Sequence, residues 1–143
     1  METLKKEINI FVIEDDMIFT SILIDILDNI AADYVAQNVE VKYRTFYSAK
    51  EASFELRRNP DMVLLDYYIM DDSLQPLTAK EFIADAISVE ANVDIIVISG
   101  QEDEKLIEEI KSKGIKAYFG KDPTSLKKLT PTIKNLIDTK LKA

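Results

Sequence analysis

Residues Ile8 to Asp16 read Ile-Asn-Ile-Phe-Val-Ile-Glu-Asp-Asp, a short apolar run that ends directly on three carboxylates. Apolar runs with almost no alternation mark strands buried on both faces, as in a parallel sheet covered by helices. Two further runs repeat the pattern: Met62–Leu65, followed by Asp66, and Ile95–Ile98, followed by Ser99 and Gly100. Val39–Phe46, which alternates, and the short Ile115–Phe119, closely followed by Lys121, read as two more strands.

Helical periodicity fills the intervals. From Met17 to about Ala32 the residues Ile18, Ile22, Ile26 and Ile30, with Phe19, Leu23 and Leu27, form a broad apolar stripe. Ser48-Ala-Lys-Glu51 and Thr78-Ala-Lys-Glu81 each match the capping box that opens a helix. Asp103 is placed to cap a fourth helix with Leu106, Ile107 and Ile110 inward and Gly114 as its C′ stop. A fifth carries Ile133, Leu136, Ile137 and Leu141; its start is left open, because Pro131 suits the first turn after a Thr130 cap but would damage a helix begun at Ser125. Strands alternating with helices predict a parallel sheet with helices on both faces. Tyr67 to Leu77 is the one irregular stretch, and Asp71 and Asp72 within it read as solvated charges.

At 143 residues, one domain spanning 1–143 is expected, with no output domain after the last helix. Composition excludes several chemistries. With no Cys and no His, thiolate nucleophiles, imidazole metal sites and Ser-His-Asp catalysis are absent. Three glycines cannot write a dinucleotide or Walker fingerprint. Twenty-six acidic against 18 basic residues, net −8, argue against nucleic-acid binding. No apolar stretch approaches membrane-spanning length and no signal peptide opens the chain, so a cytoplasmic protein with no membrane association is expected.

In an open α/β sheet, ligands bind outside the carboxyl ends of the strands. Glu14, Asp15 and Asp16 follow the first expected strand, Asp66 the third, Ser99 and Gly100 the fourth and Lys121 the fifth. Asp16 reads as the N-cap of the first helix. The others would converge on one pocket, where clustered carboxylates need a cation. Mg²⁺ fits best, because it takes oxygen ligands and accepts phosphate oxygens. Carboxylates beside Mg²⁺, a hydroxyl and a lysine describe a site that accepts a phosphoryl group.

The fragments Ile10-Phe-Val-Ile-Glu-Asp-Asp16, Pro60-Asp-Met-Val-Leu-Leu-Asp66, Val97-Ile-Ser-Gly100 and Ala117-Tyr-Phe-Gly-Lys121 together resemble the receiver domain of two-component response regulators, of the stand-alone chemotaxis-receiver kind. The resemblance implies a doubly wound (βα)5, flavodoxin-like three-layer sandwich with sheet order 2-1-3-4-5. It implies Asp66 as phosphoacceptor, Asp15 as a direct Mg²⁺ ligand, Glu14 acting through water, and the backbone carbonyl of Tyr68 as a further ligand. It also implies that Ser99 and Lys121 hold phosphoryl oxygens, while Ser99 and Tyr118 form the switch. Implied partners are a sensor histidine kinase or a histidine phosphotransfer protein, with a downstream protein on the face of the fourth helix, fifth strand and fifth helix. Only self-phosphorylation and autodephosphorylation are expected as catalysis, with no turnover of an external substrate.

This chain departs from the family pattern at Ile69-Met70-Asp71, where receivers usually have Met-Pro, and at Ala79, where Gly is common. Asp122 stands where Pro usually follows the lysine, so a trans Lys121–Asp122 bond is expected. Two alternatives carry their own discriminators. A pseudo-receiver that only docks would not need the full set of Glu14, Asp15, Asp66, Ser99 and Lys121. A haloacid-dehalogenase-type phosphohydrolase wants a second Asp two residues after its nucleophile, where this chain has Tyr68.

Overall fold

The computed structural model describes residues 5–70, 76–88, 92–100 and 103–142. Five strands form one sheet: β1 (Lys6–Ile13), β2 (Val39–Phe46), β3 (Met62–Asp66), β4 (Asp94–Ser99) and β5 (Ala117–Gly120). All neighbours pair in parallel, in the order β2-β1-β3-β4-β5. Five helices connect or follow them: α1 (Met17–Tyr34), α2 (Ala49–Glu55), α3 (Ala79–Ser88), α4 (Glu104–Lys111) and α5 (Pro123–Lys142). This is the doubly wound arrangement that the alternating pattern predicts.

The absence of alternation in the central strands has a direct cause. Ile8, Ile10 and Val12 of β1, Met62 and Leu64 of β3, and Ile96 and Ile98 of β4 pack on one face. There they meet Phe19, Leu23, Leu27 and Ile30 of α1 and Leu129, Ile133 and Ile137 of α5. The intervening residues Phe11, Ile13, Val63, Leu65, Ile95 and Val97 point the other way, onto Ala49, Ala52, Phe82, Ile83, Ala86 and Ile110 of α2, α3 and α4. Successive side chains leave a strand on opposite sides, so burial of both sides demands apolar residues at every position.

Helix starts follow their caps. Asp16 accepts the N–H groups of Ile18 and Phe19, Ser48 that of Glu51, and Asp103 those of Lys105 and Leu106. Left-handed Asn38 and Asn59, with φ of 60° and 54°, close the short 3₁₀ turns after α1 and α2. Gly114 has φ of 89°, as expected of a helix stop. It lies two residues beyond the α4 C-cap Ser112 rather than one.

Two expectations are corrected and one open question is answered. The stripe on α1 is only half core: Phe19, Leu23, Leu27 and Ile30 are buried, but Ile18 and Ile22 are 77% and 40% exposed. The stretch after Tyr67 is not irregular throughout, because Tyr68–Met70 pairs antiparallel with Pro76–Thr78 in a hairpin separate from the main sheet. Asp71 and Asp72 lie outside the described residues. Finally, the start of α5, which Pro131 left open, is at Pro123, and the helix carries Pro131 inside. Asp122 caps it through the Ser125 N–H at 2.8 Å, with Pro123 in the first turn where its missing N–H costs nothing. Pro131 sits at an exposed position of the helix.

Candidate functional site

A parallel sheet brings the carboxyl ends of its strands to one edge, and the chemistry-bearing residues collect there. Glu14 and Asp15 follow β1, Asp66 closes β3, Ser99 closes β4 and Lys121 follows β5. Carboxylate oxygens of Glu14, Asp15 and Asp66 lie within 4.8 Å of one another. Glu14 and Asp66 are 2% and 6% exposed, while Asp15 faces solvent. The Lys121 ammonium donates to Glu14 Oε2 at 3.0 Å and stands 3.6 Å from Asp66 Oδ1. Sequence order alone separates these groups by more than a hundred residues; the strand ends reunite them.

The loop after β1 is wired by its own acids. The backbone N–H of Glu14 bonds the Phe46 carbonyl at the end of β2, at 3.0 Å. Its side-chain Oε1 accepts the Asp16 N–H at 3.1 Å, and Asp16 in turn caps α1. Burial, and next the negative charge of Asp66, push the Glu14 carboxyl up to about 7 despite the opposing pull of Lys121 and the Asp16 N–H. Burial lowers Lys121, but Glu14, Asp66 and Asp16 together lift it above the usual lysine range. The cluster therefore holds more negative charge than one ammonium neutralises.

That imbalance makes a prediction about the metal-free chain. A carboxyl whose pKa is raised on folding binds more protons in the native state, so its contribution to stability falls as pH rises from the unfolded value of 4.5 to about 7. Glu14→Gln removes the titration. Its stability relative to wild type is expected to climb across that interval, by at most about 3 kcal/mol, and level off above pH 7. Urea unfolding of both proteins between pH 4.5 and 8, without divalent cations, checks this; a difference independent of pH would contradict it.

Ser99 is fully buried, in register with Gly120 and one step beyond the Asp66–Ile98 pair. Tyr118, in register with Val97, is half-buried against the α2–α3–α4 side. Strand alternation puts Ser99 on that same side of β4 as Val97, so Ser99 and Tyr118 share a face. Tyr68 opens the hairpin two residues after Asp66, its backbone paired with Thr78. There is no cis peptide bond among the described residues, as expected for Lys121–Asp122.

Two contributors escaped sequence reading. Asp122 holds the start of α5 with both carboxylate oxygens, on the Ser125 N–H and hydroxyl at 2.8 Å each. A Cβ on Gly120 would meet Asp122 Oδ2 at 2.7 Å, so glycine makes room for this cap on the far side of Lys121. Phe19 lies under the Lys121 ammonium, 4.5 Å from nitrogen to ring centroid. The Asp122-Pro-Thr-Ser pattern was a readable cap signal, but nothing in the spacing distinguishes Phe19 from ordinary core.

No family model matches this chain, and no curated protein matches it. Solved structures do. The signal receiver domain of a DNA-binding response regulator from Colwellia psychrerythraea is 25% identical, with 92% of this chain and 98% of that one covered at a TM-score of 0.69. The receiver domain of a modulated diguanylate cyclase from Desulfovibrio desulfuricans is 21% identical, covering 94% and 98% at 0.70. That of a putative repressor from Vibrio parahaemolyticus is 16% identical, covering 97% and 95% at 0.71. The chain has the fold of signal receiver domains of response regulators, and it carries an acidic cluster at the carboxyl edge of the sheet. No helix among the described residues is long and apolar enough to cross a membrane.

Proposed function

We propose that this domain is a phosphoryl-accepting signalling switch, with Asp66 as the acceptor. The observation that carries the reading is the convergence of Glu14, Asp15 and Asp66 on one another and on Lys121. In the proposed step an Asp66 oxygen attacks phosphorus in line with the donor's leaving group. The new O–P bond forms as the bond to the leaving group breaks, and the leaving group departs with that electron pair. Lys121 pairs with a phosphoryl oxygen, and the Ser99 hydroxyl donates to another.

The donor set fits Mg²⁺: hard carboxylate oxygens, one of them open to solvent, without nitrogen or sulfur ligands. Asp15 and Asp66, with the Tyr68 carbonyl, would hold the ion, and Glu14 would act through water. When bound, Mg²⁺ supplies positive charge against the phosphoryl oxygens. The donor is a phosphohistidine on a sensor kinase or phosphotransfer protein. Output runs through the α4-β5-α5 face, because Ser99 and Tyr118 share the side of the sheet on which α4 packs.

Beryllofluoride, a mimic of the phosphoryl group, tests this with Mg²⁺ by NMR. Amide shifts are expected at Asp66, Ser99 and Tyr118 and through Leu106–Ile110. In Ser99→Ala the response to Mg²⁺ alone is expected to remain while the shifts at Tyr118 and α4 are lost. Identical spectra with and without beryllofluoride would contradict the assignment of Asp66. Identical changes in wild type and Ser99→Ala would remove Ser99 from the coupling route.

A further inference from the structure

Lys121 makes three contacts across the pocket: Glu14 at 3.0 Å, Asp66 at 3.6 Å and the face of Phe19 at 4.5 Å. The first two are to carboxylates that any bound cation would share, and Asp66 changes its charge when it accepts a phosphoryl group. The ring is the one contact of the three whose charge distribution stays constant throughout. A cation over an aromatic face is attracted by the ring quadrupole, and more strongly when partly desolvated. Here the lysine side chain is 25% exposed and Phe19 is 7% exposed.

The placement of Phe19 is tied to the acidic loop itself. Its N–H, with that of Ile18, is held by the Asp16 carboxylate, and the Asp16 N–H is held by Glu14. One short segment thus sets both the carboxylate that pairs with Lys121 and the ring beneath it. On the other side, the Asp122 cap fixes the backbone as it leaves Lys121 for α5.

We propose that Phe19 is a positioning residue for Lys121, holding the ammonium beside Asp66 so that it meets the incoming phosphoryl oxygens. This rests on the reading of Asp66 as phosphoacceptor. A purely structural Phe19 would be served by any apolar side chain of similar size, since Leu23 and Leu27 occupy the same buried cluster.

The test compares wild type, Phe19→Leu and Phe19→Tyr, each with Mg²⁺ and acetyl phosphate. In Phe19→Leu the phosphorylation rate is expected to fall about fivefold, the factor that ~1 kcal/mol of cation–π attraction implies. Mg²⁺ affinity should stay within about twofold, because the Phe19 ring offers no ligand atom to the ion and the Phe19 N–H bond to Asp16 is kept in both variants, and Phe19→Tyr should restore the rate. A second readout is independent of activity. The Lys121 ε-methylene protons should resonate upfield of other lysines in wild type and Phe19→Tyr, and return to the common position in Phe19→Leu. A wild-type rate in Phe19→Leu overturns the proposal, as does equal loss in both variants or an unshifted wild-type resonance. Failure of the wild type to accept any phosphoryl group instead overturns the reading of Asp66 and the proposal with it.

Discussion

Asp66→Asn is expected to abolish phosphorylation completely and, at the same time, to make the metal-free chain more stable at neutral pH. Both results come from the same geometry. Asp66 closes β3 at 6% exposure, within 4.8 Å of the carboxylates of Glu14 and Asp15. Its charge is a leading reason, after burial, that Glu14 is pushed up to about 7. An amide of the same shape removes that repulsion and leaves Lys121 to Glu14 alone. The Glu14 pKa then falls toward the ordinary range, and the part of the stability loss that the Asp66 charge causes is recovered, while the part due to burial stays. An amide oxygen is also a far weaker nucleophile than a carboxylate and carries no charge for Mg²⁺, so linkage to the ion weakens too. For wild type, Mg²⁺ at ten times its dissociation constant should add about 1.4 kcal/mol. In Asp66→Asn most of that increment should vanish. Chemical unfolding at pH 7.5 with and without Mg²⁺ reads both effects. A variant less stable than wild type without metal would show that the pairing of Asp66 with Lys121 outweighs its repulsion by the neighbouring carboxylates.

The second large effect concerns the core. Leu27→Ala is expected to cost about 2–5 kcal/mol, a large part of the ~5–15 kcal/mol that holds a domain of this size together. Leu27 is fully buried between α1 and the sheet, among Ile8, Ile10, Leu64 and the apolar face of α5. Truncation removes burial and leaves a cavity that rigid strands on one side cannot collapse to fill. Ile18→Ala, on the same sequence stripe, should change stability by less than about 0.5 kcal/mol, because Ile18 is 77% exposed. Denaturant midpoints of the two variants decide the matter. Equal losses would mean that α1 is rotated from the orientation described.

This pair of residues also marks the limit of what the sequence told. Helical spacing shows that α1 has an apolar side, but Ile18, Ile22 and Ile26 recur as regularly as Phe19, Leu23 and Leu27. Which row is core depends on the helix's rotation over the sheet, a tertiary fact. The sheet was legible because burial on both faces leaves continuous runs such as Met62–Leu65, and because caps such as Asp16, Ser48 and Asp103 mark helix starts in the primary structure. The site followed from it, since acids placed directly after buried strands must share one edge. Two three-residue strands, Tyr68–Met70 and Pro76–Thr78, are too short to show a period. The start of α5 stayed open because the interior Pro131 competed with the local cap signal of Asp122 and Pro123. Phe19 beneath Lys121 could not be read at all, because aromatic residues on a helix stripe are ordinary core until the neighbour's charge is located.

If Asp66 is the phosphoacceptor, it takes a phosphoryl group from a small donor. Intact-mass spectrometry after incubation with acetyl phosphate and Mg²⁺ tests it most directly, followed by borohydride reduction and peptide mapping. One phosphoryl group per chain is expected, dependent on Mg²⁺, labile in base, and mapping after reduction to residue 66. No mass increase, or a base-stable group on a serine or threonine, would contradict it.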